Sequence, residues 1–339
     1  MQPRPEATGM TAERLFGFHH AFDHPVVLWI TLGIGALLAL TPAAVFTLTA
    51  TKIAAPPLGA ELWRRYLSWL VIAPLLVVPV LLGAAWTIGA VTVFSLLCFR
   101  EYARATGLFR ERTITLTVVL GIFAVNLAAL DHWYGLFVAL FPLFVGLITV
   151  ITIFHDRPQG FIQRVALAVF AFMLFGCALS HLGYMANDWD YRPRLLLVLL
   201  AVQMNDVFAY IAGKSLGRRK LAPNTSPSKT LAGALGAAVL TTALVLALGP
   251  YAFHGTVVAR TGHLVLLGLI MSIVGQLGDL TLSSIKRDLG IKDMAATIPG
   301  HGGFLDRFNS LLFVAPAVFH YVSYFVGFGL DQPKRIITG

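Results

Sequence analysis

Charge is scarce in this sequence: 12% of its 339 residues are Asp, Glu, Lys or Arg, where a soluble domain carries roughly a quarter. That scarcity excludes a water-soluble globular enzyme. Cysteine is scarcer still. Cys98 and Cys177 lie far apart in apolar runs with no second Cys or His at ligand spacing, which excludes a disulfide or zinc framework. A signal-peptide core of about 7–15 residues is also missing, because the first apolar run, residues 26–50, is far longer and reads as a retained anchor. Neither a fixed-period repeat nor a low-complexity linker marks off a soluble domain. The expected organisation is an interfacial segment at 1–25, one transmembrane domain at 26–330 and a tail at 331–339.

What the chain does have is hydrophobic length. Hydrophobic residues make up 57% of it, in continuous runs of the roughly twenty residues an α-helix needs to cross the bilayer. Continuous rather than alternating runs disfavour a barrel. The expected fold is all-α: a polytopic membrane protein with about ten spans, near 26–50, 67–83, 84–100, 113–130, 134–154, 163–184, 194–212, 231–253, 262–282 and 310–330. The charge-free stretch from Leu67 to Phe99 is too long for one crossing at about 1.5 Å per residue and is split near Gly83. With an external amino terminus, the loops at 51–66, 100–112, 155–164, 213–230 and 283–309 carry 18 of the 25 Lys and Arg residues. This bias predicts that they face the cytoplasm, in a multi-pass protein of the inner (cytoplasmic) membrane. It also accounts for the net charge of +9 without nucleic acid as a partner.

Two of the sixteen acids fall well inside apolar spans, Asp206 and Asp279. An Asp at a helix centre costs about 2.5–3.5 kcal/mol on insertion scales, so such residues usually face a cavity. Each leads into a long polar loop. The first, GKSLGRRKLAPNTSPSKTLAG at 213–233, has five basic residues and no acid, and it runs into a helix whose free N–H groups favour phosphate. Lys229-Thr230 lacks the preceding glycines of a P-loop, so that motif fails. The second loop combines Lys286, Arg287, Lys292 and Arg307 with Asp279, Asp293 and Asp306, around a Pro299-Gly300-His301-Gly302-Gly303 turn. Carboxylates for Mg²⁺ beside cations for phosphate oxygens suit a metal–polyphosphate site.

Ser283-x-Ile285-Lys286-Arg287, then Lys292-Asp293-x-Ala295, then Ile298-Pro299-x-His301-Gly302-Gly303-Phe304-x-Asp306-Arg307-Phe308 closely resembles the signature of the phosphatidate cytidylyltransferase (CDP-diacylglycerol synthase) family. Asn205-Asp206-x-x-Ala209-Tyr210, with Gly213, Gly217 and Ser226-Pro227-x-Lys229-Thr230-x-x-Gly233, resembles its second block, and Glu101 suits the family's common Glu after an early span. The catalytic part is thus expected at about 200–310. Three acids of the pattern are missing, since Ala232, Leu282 and Asn309 stand in their places.

The resemblance implies transfer of CMP from CTP to phosphatidate or a related lipid phosphate, giving a CDP-lipid and pyrophosphate. It implies a catalytic set of Asp206, Lys229, Asp279, Lys286, Arg287, Asp306 and Arg307. Mg²⁺ would be held by Asp279 and Asp306 with Asp206 completing the shell, beside room for a second cation. Substrate contacts would come from Asn205, Ser226, Thr230, Ser283, Lys292, Asp293, His301, Gly302 and Gly303. The expected partners are CTP, the lipid phosphate and surrounding membrane lipids, and a homodimer is admissible. A CTP-dependent polyprenol-type lipid kinase, a transporter and an inactive scaffold remain open at this point.

Overall fold

The computed structural model describes residues 7–51, 56–298, 302–327 and 335–338. Among these, ten helices are long and apolar enough to cross a membrane, and the architecture is an all-α polytopic bundle. The chain opens with α1 (Ala7–Phe16), α2 (Pro25–Ala50), α3 (Pro56–Leu82) and α4 (Ala84–Thr106). There follow α5 (Arg112–Leu130), α6 (Tyr134–Ile153) and α7 (Phe161–Ala171), which passes through a π-helical stretch, Phe172–Ala178, into α8 (Leu179–Met185). Then come α9 (Tyr191–Leu216), the strands β1 (Lys220–Ala222) and β2 (Ser226–Thr230), α10 (Leu231–Ala252), α11 (Thr261–Asp288), α12 (Phe304–Phe308) and α13 (Leu311–Val326).

The break at Gly83 falls where the sequence places it, and the glycine adopts φ +140°, a conformation L side chains rarely take. The span ends differ from expectation. Helix α3 carries Glu61, Arg64 and Arg65, α4 carries Arg100, Glu101 and Arg104, and α11 continues through Lys286 and Arg287 to Asp288. An apolar-run reading stops where charge begins. A helix persists past that point, because its backbone bonds are internal and long cationic side chains reach the interface. Residues 213–230 also hold an antiparallel hairpin, pairing Lys220 with Thr230 and Ala222 with Ser226 across Pro223-Asn224-Thr225.

Helices α9, α10 and α11 form the part that positions the polar loops. Helix α9 meets α10 through small residues. A Cβ at Gly233 would stand 2.7 Å from the Ala209 carbonyl oxygen, and one at Gly236 would stand 2.3 Å from the Ala212 Cβ. Packing this close leaves no room for a side chain. Gly233→Val is expected to cost about 1–3 kcal/mol through overpacking, read as a lowered Tm of the purified protein in detergent. Inside this trio Asn205, fully buried, accepts from Thr241 Oγ1 at 3.0 Å and Ser272 Oγ at 2.5 Å. Gln276 Nε2 extends the chain of bonds by donating to Ser272 Oγ at 3.0 Å.

The two ends of the bundle differ. At one end Asn187 accepts from Arg14 at 2.6 Å and Arg192 donates to the Gly17 carbonyl at 2.7 Å. His24 lies 3.0 Å from Asp190, whose hydrogen bond raises the His24 pKa. Asp131 holds the carboxyl-terminal residues at this end, accepting from the backbone of Ile336, Ile337 and Thr338 and from the Thr338 hydroxyl. Burial alone would raise the Asp131 pKa, but these donors together pull it below the usual carboxylate value. Phe16, Phe18 and Phe22 are exposed, while Arg14 is buried in the end of the bundle. The opposite end carries the basic loops and both long motif loops.

Candidate functional site

The carboxyl-terminal turns of α9 and α11 and the start of α10 surround a cleft of about 380 Å³, lined by Asp206, Tyr210, Lys214, Lys229, Gln276 and Asp279 among others. Asp206 and Asp279 come from different helices into this cleft. Lys229, on the last part of β2, makes an ion pair with Asp279. Lys229 and Asp279 belong to different motif loops, so their ion pair brings the two loops together at the cleft. Asn309 donates to Asp279 Oδ1 at 2.5 Å and, through its own Oδ1, accepts from the Ser310 N–H at 2.7 Å.

Local sequence explains how β2 delivers Lys229. Thr230 ends the strand and caps α10, its hydroxyl accepting from Gly233 N–H at 3.1 Å. Gly213 and Gly217 lie against that threonine, and a Cβ at Gly217 would stand 2.5 Å from Thr230 Oγ1. The glycines of the second motif block therefore let the α9 end, the hairpin and the α10 start meet.

Asp306 has a different setting. Its Oδ1 accepts from Lys286 Nζ at 2.7 Å, and its Oδ2 accepts from the N–H groups of Met294 at 2.9 Å and Gly303 at 3.0 Å. The expected shell of three aspartates is thus arranged as two plus one: Asp206 and Asp279 line the cleft, and Asp306 fastens the loop that carries Arg307. Gly302 adopts φ +79°, and a Cβ there would stand 2.9 Å from Asp306 Oδ2. Ile298 N–H donates to the Gly302 carbonyl at 2.7 Å. His301, with Pro299 and Gly300, lies outside the described residues.

The remaining expected residues divide between the cleft and its frame. Arg287 joins the two motif loops, donating to the carbonyls of Thr225 at 3.3 Å and Ile291 at 3.2 Å. Ser226 pairs in the hairpin, Ser283 is buried on α11, and Lys292 and Asp293 are exposed beyond it. Asn205, expected at the substrate, bridges helices instead. Arg307 Nε is buried and has no hydrogen-bond partner among the described residues.

Glu101 has a role that sequence reasoning did not assign. Buried at the end of α4, it accepts from Thr297 Oγ1 at 2.7 Å, Phe304 N–H at 3.0 Å and Leu305 N–H at 2.9 Å. It satisfies the free donors at the start of α12, which sets the register of Asp306 and Arg307. Its signals in the sequence were an acid at the end of an apolar run and its match to the common Glu of the resembled family.

Two carboxylates facing one open cleft form a hard-oxygen donor set. Mg²⁺ commonly takes one or two carboxylates and fills its remaining positions with water and phosphate oxygens, so the donors present fit that ion. The sequence profile of the cytidylyltransferase family matches residues 63–325. The chain belongs to that family. Uncharacterized protein YnbB of Escherichia coli (strain K12) is 32% identical over 276 residues, 78% of this chain and 89% of that protein. Phosphatidate cytidylyltransferase of Bacillus subtilis (strain 168) is 43% identical over 126 residues, 37% of this chain and 46% of that enzyme. The phosphatidate cytidylyltransferase of Staphylococcus haemolyticus (strain JCSC1435) is 38% identical over 149 residues, 43% of this chain and 56% of that enzyme. The chain thus spans about half the length of these enzymes.

Proposed function

We propose that this family member transfers CMP from CTP to phosphatidate, giving CDP-diacylglycerol and pyrophosphate. The observation that carries the reading is the single cleft shared by Asp206, Asp279 and Lys229. In the reaction a phosphatidate phosphate oxygen forms a bond to the α-phosphorus of CTP. The bond from that phosphorus to the bridging oxygen breaks, and pyrophosphate leaves. The attacking phosphate is already ionised at neutral pH, so no general base is needed. Two anions must instead be brought together in line, which makes positioning and charge neutralisation the principal tasks.

Asp206 and Asp279 would hold Mg²⁺, which when bound neutralises charge on the polyphosphate. Lys229 and Arg307 supply donors to phosphate oxygens, and Lys286 acts through Asp306 by fixing the loop on which Arg307 lies. The cleft faces the cytoplasm in this reading. Support comes from the Lys and Arg bias, because 18 of 25 such residues belong to the loops at the cleft's end of the alternating spans.

Purified protein incubated with phosphatidate, Mg²⁺ and CTP labelled at the α-phosphate is expected to yield labelled lipid, whereas label at the γ-phosphate stays in pyrophosphate. Entry of γ-label into lipid would make the protein a lipid kinase and overturn the proposal. Asn309 beside Asp279 favours including other lipid phosphates in the same assay, since one charge of the family pattern is absent next to the proposed ion. Labelling of one of these acceptors and not phosphatidate would keep the cytidylyl transfer and replace the acceptor.

A further inference from the structure

On the end of the bundle away from the cleft, three metal-ligating side chains come together outside the proposed active site. Ligand atoms of Glu13, His19 and His20 all lie within 4.8 Å of one another. Among the described residues this is the one grouping of three or more His, Cys, Asp or Glu side chains so close. We propose that Glu13, His19 and His20 form a binding site for a divalent transition cation of the Zn²⁺ class.

The chain is folded to make this cluster. Helix α1 ends at Phe16, and the backbone turns back at Gly17, where a Cβ would stand 2.0 Å from the Glu13 carbonyl oxygen. No other residue allows so tight a reversal at that point. The following 3₁₀ turn, Phe18–His20, returns both imidazoles towards Glu13. The turn is anchored on both sides: Arg14 donates to Asn187 at 2.6 Å, and the Gly17 carbonyl accepts from Arg192 at 2.7 Å.

The ligand chemistry is also prepared. Asp23 Oδ2 lies 2.6 Å from His20 Nδ1; in the tautomer with its proton on Nδ1 that carboxylate accepts it, and Nε2 is the nitrogen that can ligate. A carboxylate behind a ligating imidazole is the usual outer-shell partner of a metal-bound histidine. Two imidazoles and a carboxylate are the donor set of three-ligand zinc sites, and they favour borderline transition ions over Mg²⁺. Ligand atoms around a tetrahedral ion stand roughly 3.4 Å apart at bond lengths near 2.0–2.1 Å. Rotation of the exposed His19 side chain and of Glu13 closes the remaining distance. A bound ion would join α1 to the turn before α2, fastening the amino-terminal segment to the end of the bundle.

The site is independent of the proposed transfer reaction, and its test does not use that activity. Full-length purified protein is dialysed to equilibrium with Zn²⁺ in excess Mg²⁺, which occupies all-oxygen sites. One Zn²⁺ per chain is expected, and Asp23→Ala should weaken binding by about 10–100-fold. The His19→Ala/His20→Ala double variant should abolish it, while His24→Ala, a neighbouring histidine outside the cluster, should leave it unchanged. Because a variant can fail to fold, the unaltered protein is also loaded with Cu²⁺, whose electron paramagnetic resonance spectrum should show nitrogen hyperfine structure from two imidazoles. Zinc binding that survives the double variant, or a copper spectrum lacking nitrogen coupling, would overturn the proposal.

Discussion

Under the proposed function, replacing Asp279 with Asn is expected to lower CDP-lipid formation by about 10²–10³-fold, the scale on which single charge-stabilising groups act in a transition state. The protein nevertheless folds as stably as before, or more so. An Asp within a span costs about 2.5–3.5 kcal/mol on insertion scales, and the amide that replaces it retains a carbonyl oxygen for the Asn309 Nδ2 donor now at 2.5 Å. What the variant loses is charge. Lys229 loses its ion-pair partner and Asp206 is left as the one carboxylate of the pair, so with Mg²⁺ held as proposed the concentration giving half-maximal rate is expected to rise. Asp206→Asn follows the same pattern. The measurements are turnover over a Mg²⁺ titration and thermal unfolding of the same preparation. A variant less stable but fully active would show that Asp279 serves helix packing, and the catalytic assignment would be withdrawn.

The spans were legible because the bilayer imposes a length on each apolar run, and Gly83 was legible because no other residue readily adopts the conformation that ends α3 and starts α4. The cleft was legible as chemistry. Asp206 and Asp279 stand out as acids where hydrocarbon penalises them, and each precedes a loop rich in cations. Distances were not legible. Glu101 lies 196 residues from Thr297 in the chain, yet the two are 2.7 Å apart, and no local pattern encodes that contact. The hairpin at 220–230 escaped notice because short strands among Pro, Asn and Ser show no alternation. The three missing acids separate only in three dimensions. Leu282 is buried in the core at 1% exposure, Ala232 occupies the first turn of α10, and Asn309 alone is seen to touch a carboxylate of the cleft.

Glu101→Ala is the second large effect expected, and it acts at a distance from the cleft. The substitution strands the N–H groups of Phe304 and Leu305, at about 1–3 kcal/mol for a buried donor left unsatisfied, while the exposed Thr297 hydroxyl turns to water. Helix α12 is five residues long, too short to hold its position from internal bonds alone. The loop bearing Asp306 and Arg307 therefore loosens, and turnover falls while the carboxylate pair of the cleft remains. Glu101→Gln should fall between the two proteins. One carboxylate oxygen serves Thr297 and Phe304 and the other serves Leu305, so an amide keeps one acceptor and opposes a backbone N–H with an NH₂ donor at the other. Amide hydrogen exchange over residues 302–308 separates this role from catalysis. Exchange should quicken in the order wild type, Gln, Ala, and it should be unaffected by Asp279→Asn. An inactive Glu101→Ala protein with unchanged protection there would mean that the carboxylate acts on substrate rather than through the loop it caps.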